Sequence, residues 1–157
     1  MKISLWSIGK ANDSYVKEGI EDFTRRISKY YPVDWKIFPP ARQTINTSEA
    51  GIKQQEAQSI LTHLQKDDFL VLLDEKGQQI TSPQLATLIE RQANNSIKQL
   101  VFLIGGAFGV DELVKARANY TWSLSLLVFP HQLVRLMLAE QLYRACSIIR
   151  NEKYHHE

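Results

Sequence analysis

Scarcity narrows the class before any motif does. The chain holds a single cysteine, Cys146, so no disulfide forms within it, and a small secreted scaffold stapled by bridges is excluded. That thiol lies inside the apolar stretch Leu142 to Ile149 and reads as core filler in a reducing compartment. Apolar runs such as Leu124 to Phe129 fall far short of the roughly 20 residues that a membrane-spanning helix requires. Met1 to Ile8 shows no small-residue cleavage site and Lys10 soon interrupts it, so secretion is not expected and the cytosol is. Charge of one sign is also sparse: a formal +2 is too slight to hold nucleic acid by charge alone. Several chemical signatures are missing as well. No Gly-x-Gly-x-x-Gly follows the first strand, and no Gly-x-x-x-x-Gly-Lys loop, His-x-x-x-His pair or Gly-x-Ser-x-Gly elbow occurs. Dinucleotide, P-loop and hydrolase readings are thereby disfavoured, and with four histidines and one cysteine no metal site is expected.

What is present is ordinary globular usage, 44% hydrophobic and 23% charged over 157 residues. A chain of this size suits one domain, 1–157, that buries about 70% of the surface its unfolded form exposes. Lys2 to Ile8, closed by Gly9, predicts a buried strand. Asp13 is placed to cap a helix in which Tyr15, Val16, Ile20, Phe23 and Ile27 recur at helical spacing until Pro32 stops it. Lys17, Arg25, Arg26 and Lys29 lie off that face and read as a solvated outer side. A strand over Val33 to Phe38 leads into the polar stretch Pro39 to Ser48, read as a mobile loop carrying Arg42. A helix over Glu49 to Leu64 precedes a strand, Phe69 to Leu73, with Asp74 to Gly77 as its exit loop. Ser82 as N-cap and Pro83 open a helix to Ala93, and Leu100 to Ile104 is again a strand. Asp111 caps a short helix to Ala116, Thr121 to Leu127 is the last strand, and Phe129-Pro130 opens a long helix to about Ile149. The charged tail Arg150 to Glu157 follows. Such alternation predicts an α/β sandwich with a mainly parallel sheet between helical layers.

Parallel sheets present ligand sites at the C-terminal ends of their strands, and three loops leave such ends here: Leu73 to Glu75, Ile104 to Gly109, and Leu124 to Phe129. Their convergence on one pocket is the expectation. Gly105-Gly106 admits a close-lying ligand, although a tight turn before a helix explains the same residues. Asp74 suits a turn better than a metal, because the first strand exits through Gly9-Lys10 rather than further carboxylates.

The final helix is apolar nearly all round, with Leu133, Val134, Leu136, Met137, Leu138, Leu142, Tyr143, Cys146 and Ile149. One sheet cannot cover all of that, so its second face is expected to meet another copy of the chain in a homodimer. His131, Arg135, Glu140 and Arg144 interrupt the apolar surface. Glu140 and Arg144 share a face, either as an intrahelical ion pair or as groups with a task. Tyr154-His155-His156 is either a frayed end or part of a site.

A resemblance sharpens these alternatives. Lys2-Ile3-x-Leu5 with Gly9-Lys10, the Leu73-Asp74 strand end, Phe102-Leu103-Ile104-Gly105-Gly106 with Gly109, and Trp122-Ser123-Leu124-Ser125 all closely resemble the RlmH family. So do Phe129-Pro130-His131-Gln132-Leu133-Val134-Arg135, Glu140-Gln141-Leu142-Tyr143-Arg144-Ala145 and Tyr154-His155, and the whole set runs in order along the chain. That family belongs to the SPOUT methyltransferases, so the resemblance implies a three-layer sandwich with a C-terminal deep trefoil knot, acting as a homodimer. Residue patterns alone would not suggest a knot, since threaded chains are nearly absent from folds in general. The resemblance implies S-adenosyl-L-methionine as cofactor, held by Leu73, Gly105, Leu124, Ser125, Leu126, Leu127, Val128 and Phe129, mostly through backbone and apolar contacts, with no metal. It implies methylation of N3 of pseudouridine 1915 in helix 69 of 23S ribosomal RNA, on the assembled 70S ribosome in the cytoplasm. Arg144 is then expected to stabilise charge on the imide, His155 to assist proton removal, Tyr154 to position the base and Glu140 to orient Arg144, with the tail reaching the partner's cofactor site. One departure stands out: many members end Tyr-His-Arg or Tyr-His-Lys, whereas His156 here implies a weaker last contact to RNA phosphate. The rival readings are a SPOUT enzyme acting on another RNA, such as a transfer RNA, and a ribosome-binding module without turnover.

Overall fold

Ten elements alternate along the residues that the computed structural model describes, 1–156; Glu157, the end of the tail, lies outside them. In chain order they are β1 (Lys2–Ile8), α1 (Ser14–Ile27), β2 (Val33–Phe38), α2 (Glu49–His63), β3 (Phe69–Gln78), α3 (Ser82–Asn94), β4 (Gln99–Ile104), α4 (Glu112–Arg117), β5 (Tyr120–Trp122) and α5 (His131–Ile149). The strands form one sheet in the order β2-β1-β4-β3-β5, and every neighbouring pair is parallel.

Period-2 alternation sorts the side chains into two layers. Ile3 and Leu5 of β1, Val71 of β3, and Leu100, Phe102 and Ile104 of β4 face Leu85 and Ile89 of α3 and Leu138, Leu142, Ala145 and Cys146 of α5. Trp6 and Ile8, Leu70 and Leu72, and Val101 and Leu103 face the other way, onto Ala57 and Ile60 of α2 and Val114 of α4. The expected three-layer α/β sandwich is what the chain forms. Burial pushes the Cys146 thiol up to about 12, so this cysteine is an inert core group.

Several local expectations need correction. The strand expected to stop at Leu73 continues to Gln78, because Leu73 and Gln78 both pair with Trp122 and the residues between them bulge out. Gly77 permits this: a Cβ there would lie 2.7 Å from the Thr121 backbone. Asp74 is the turn residue it was read as, its Oδ1 accepting from the Lys76 N–H at 2.8 Å. β5 is much shorter than the expected Thr121 to Leu127. After Trp122 the chain leaves the sheet, with the Ser123 hydroxyl donating to the Ser125 carbonyl at 2.9 Å and Ser125 Oγ accepting from the Leu127 N–H at 3.0 Å. The cap of α3 is Thr81 rather than Ser82: Thr81 and Gln84 form a reciprocal capping box. Ser82 instead donates to Gln141 of α5 at 2.7 Å.

The enclosure of α5 also differs from expectation. α1 and α3 of the same chain flank it above the sheet, which supplies much of the cover assigned to a second subunit. The stripe left facing outward carries Leu133, Met137, Glu140 and Arg144, each half-buried.

Candidate active site

Three strand ends meet in one cleft of about 440 Å³, within the size range of small-molecule sites. Leu73 and the bulge Asp74 to Lys76 supply one wall, Ile104 to Val110 the second, and the segment after β5 the third, with His131 and Val134 of α5 beneath. Of the expected cofactor residues, Leu73, Gly105, Leu124, Ser125, Leu127, Val128 and Phe129 line this cleft. Leu126 does not, and its side chain is 79% exposed. Leu127 and Val128 are also largely exposed, at 68% and 78%, so this apolar segment forms an open lip.

Of two groups behind the cleft, Glu56 escaped the sequence reading, and Arg135 was singled out there without a role. Glu56 of α2 is buried, and a Cβ at Gly106 would lie 2.6 Å from its Oε1, so any side chain there would force the carboxylate beneath the loop to shift. Burial pushes the Glu56 carboxyl up, against the opposing pull of the Ala41 backbone N–H. The signal was a carboxylate on the apolar stripe formed by Ile52, Ala57 and Ile60. Arg135 is only 1% exposed and donates to Ser7 Oγ at 2.9 Å, the Lys10 carbonyl at 2.8 Å and Asn12 Oδ1 at 3.1 Å. It thus fastens the exit of β1 to the first turns of α5. Burial, and then the Arg135 charge, lower the affinity of His131 for a proton, so the cleft keeps a neutral imidazole at its base.

Of the four residues expected to act on the substrate, Glu140, Arg144 and Tyr154 form a second cluster, and His155 follows it directly in the chain. Arg144 donates from Nε at 3.0 Å and from Nη2 at 2.5 Å to Glu140 Oε1, and the Tyr154 hydroxyl donates to the same oxygen at 3.2 Å. Gln141 Nε2 donates to Glu140 Oε2 at 2.7 Å, so both carboxylate oxygens are held. The Arg144 guanidinium lies 4.7 Å from the Tyr154 ring, which in turn packs 4.6 Å from Tyr143. The tail reaches this position because Asn151 adopts φ 60 after the helix, with Glu152 N–H donating back to the Ser147 carbonyl. Tyr154 is therefore part of an ordered cluster rather than a frayed end. Burial, then the Glu140 charge, hold its hydroxyl protonated. His155 Nδ1 is buried and has no hydrogen-bond partner among the described residues.

None of these four lines the cleft of its own chain. At about 1.5 Å and 100° per residue, Glu140 lies roughly 13 Å along α5 from His131 and on the opposite side of the helix. Among the described residues no group of three or more potential metal ligands occurs, and no helix is long and apolar enough to cross a membrane.

A parallel sheet with its cleft at three strand ends, and a last helix joining that cleft to a polar cluster, set a pocket of ligand size and a group of ionisable side chains on one element. A family model described as Predicted SPOUT methyltransferase matches residues 1–155, and the chain belongs to that family and is a methyltransferase. Among its relatives, Ribosomal RNA large subunit methyltransferase H of Cytophaga hutchinsonii is 45% identical over 156 residues, covering 99% of this chain and 100% of the relative. The protein of the same name from Parabacteroides distasonis is 43% identical over 157 residues, covering all of both chains, and that from Geotalea daltonii is 38% identical over 156 residues. The resemblance drawn from the motifs to the RlmH family therefore holds over the full length.

Proposed function

We propose that this chain transfers a methyl group from S-adenosyl-L-methionine to N3 of pseudouridine 1915 in helix 69 of 23S ribosomal RNA, acting in the cytoplasm as a single-domain, homodimeric SPOUT enzyme on the 70S ribosome. The observation that carries this reading is the meeting of Leu73, Gly105 and the Leu124 to Phe129 segment on one cleft, in a chain that matches a SPOUT methyltransferase from end to end. The named relatives supply the class of substrate, ribosomal RNA of the large subunit. The segment between β5 and α5, which leaves the sheet and lines the cleft, is the part of the chain that the C-terminal trefoil knot would involve.

The cleft suits the cofactor. Gly105 presents half-buried backbone, and Leu73, Ile104, Trp122, Leu124 and Val134 offer apolar surface for an adenine, while the neutral His131 adds no charge to repel a sulfonium. Bound there, S-adenosyl-L-methionine supplies a methyl carbon bearing a good thioether leaving group. The chain's own groups then prepare the nucleophile. Tyr154 presents a flat surface for the base, and Arg144, already oriented by both of its hydrogen bonds to Glu140, lies ready to stabilise the negative charge left when N3 loses its proton. His155 assists that proton's removal. The cofactor's sulfonium would supply the methyl carbon to N3, while Arg144 and His155 govern the charge and the proton at that nitrogen.

Dimerisation joins the two halves of the chemistry. A helix that holds Glu140 and His131 on opposite sides cannot bring its own cluster to its own cleft. A second copy, packed on the outward stripe Leu133, Met137, Glu140 and Arg144, can bring its cluster there, and the exposed Leu126 to Val128 lip is suited to burial against it. Mass mapping of 23S RNA after incubation of ribosomes with the protein and labelled cofactor tests the proposal. One added methyl on the helix 69 pseudouridine is the expected result; label in transfer RNA instead, or no label, overturns it.

A further inference from the structure

Away from the cleft, a groove runs between α1 and the C-terminal end of α5, with a volume of about 620 Å³. Arg25, Arg26 and Lys29 come from α1 and the turn after it, and Arg150 from the end of α5; Asp22 and Glu152 are the acidic residues lining the groove. Four cations against two carboxylates leave a surplus of two, which equals the formal net charge of the entire chain. The rest of the molecule is therefore electrically balanced, and its positive excess sits in this groove.

The pairing inside the groove is informative. Asp22 holds both Arg25 and Arg26, and the Tyr30 hydroxyl donates to Glu152 at 2.5 Å. Lys29 and Arg150 have no ion-pair partner among the described residues. Arg25, Lys29 and Arg150, from two separate segments, stand exposed along the groove, and Arg26 lies against aromatic rings. Arg26 lies 5.4 Å from the Tyr143 ring, Tyr143 packs 4.6 Å from Tyr154, and Arg144 caps Tyr154 at 4.7 Å. The groove is thus joined, through the packed rings of Tyr143 and Tyr154, to the cluster proposed to receive the target base.

We propose that this groove binds backbone phosphates of the RNA nucleotides flanking the one held at Arg144 and Tyr154. Single-stranded RNA is recognised by this combination, cations for phosphates and rings or guanidinium planes for bases. No large apolar side chain stands exposed in the groove to insert into a lipid surface. The proposal rests on the reading of the chain as a ribosomal RNA methyltransferase and adds where that RNA is gripped. It also explains how a protein of such low net charge holds a polyanion: the charge is concentrated rather than abundant.

The test is a triple variant, Arg25→Ala, Lys29→Ala and Arg150→Ala, compared with a control, Lys66→Ala and Lys98→Ala, that removes exposed cations elsewhere. Arg26 is left in place because it packs on Phe23 and Tyr143. Methylation of 70S ribosomes is measured over a range of salt, and cofactor affinity by calorimetry. The triple variant is expected to raise KM by about tenfold or more and to flatten the log KM against log salt slope by about 2, as loss of three phosphate contacts requires. Its kcat at saturating ribosome and its cofactor Kd stay within about twofold, and the control changes neither KM nor slope. A KM and salt slope equal to wild type overturn the proposal, as does a fall in kcat at unchanged KM. Wild-type protein that fails to methylate ribosomes overturns the functional reading instead. The groove is then judged by binding to a helix 69 stem-loop, where equal Kd for wild type and triple variant sinks it.

Discussion

At its N-terminal end α5 closes a cleft lined by strand-end backbone, apolar side chains and the charged residues Lys53, Asp74, Glu75, Lys76 and Lys115, whereas about 13 to 20 Å further on it carries a charged and aromatic cluster whose groups are held by one another. The first end offers a concave space of the size that takes a small ligand. The second offers a guanidinium, a carboxylate, a phenol and an imidazole, which suits a reaction needing charge control. Separating the two along one helix makes binding and chemistry independently breakable, and under the proposed dimer the chemistry depends on a second copy.

The sharpest break is at the polar end. Arg144→Ala, or truncation before Tyr154, is expected to lower methyl transfer by about 10² to 10³, the usual cost of removing a group that stabilises developing charge. Cofactor affinity measured by calorimetry stays within about twofold; a tenfold loss of affinity in either variant would show that the two ends are not separate. At the cleft end the effect reverses. Gly106→Ala drives a methyl group against the Glu56 carboxylate and is expected to weaken cofactor binding about tenfold through overpacking, with kcat per bound cofactor retained. Adding Glu56→Ala restores most of that affinity, because the two side chains compete for one space. Additive losses in the double variant contradict that account.

A smaller effect concerns His131, whose proton affinity falls below the ordinary value of 6.5 through burial and the nearby Arg135 charge. The unfolded chain then binds the proton more readily than the folded one. Stability is full above about 6.5 and declines as pH falls through the lower folded value. Thermal melting of wild type and His131→Gln between pH 7 and 5 is expected to show a steeper decline for wild type. Parallel curves would mean that His131 does not titrate in that window.

Legibility in the sequence followed the same division. The strand ends at Leu73 and Gly105 were readable because solid apolar runs stop at turn residues there, and the sheet's parallel order followed from alternation. The path of Thr121 to Leu127 was not readable: its apolar residues have strand propensity, yet the hydroxyls of Ser123 and Ser125 bend the backbone off the sheet. Glu140 and Arg144 announced a pair by spacing alone, but the return of Tyr154 onto them depends on Asn151 in a left-handed turn, a residue type that many loops also use. The roles of Glu56 and the basic groove were invisible for a different reason. Each joins residues distant in sequence, Glu56 with Gly106 and Arg25 with Arg150, and periodicity within one element carries no information about the other.

The tail supplies the finest test of the contrast between the ends of α5. His156 is exposed and follows directly on Tyr154 and His155, and as a histidine it lacks the fixed charge that arginine would bring to RNA phosphate there. Replacing it, His156→Arg, adds one fixed cation beside the polar cluster and nothing at the cleft. Ribosome binding is expected to tighten about two- to fivefold, the scale of a single solvent-screened ion pair. The dependence of log Kd on log salt should steepen by a little under 1, the signature of one further phosphate contact. Cofactor affinity should move by no more than about twofold, since the substitution leaves every residue that lines the cleft unchanged. An unchanged ribosome Kd at both low and high salt would mean that RNA passes this cluster without touching the tail's end, and would confine phosphate recognition to Lys29, Arg150 and their neighbours.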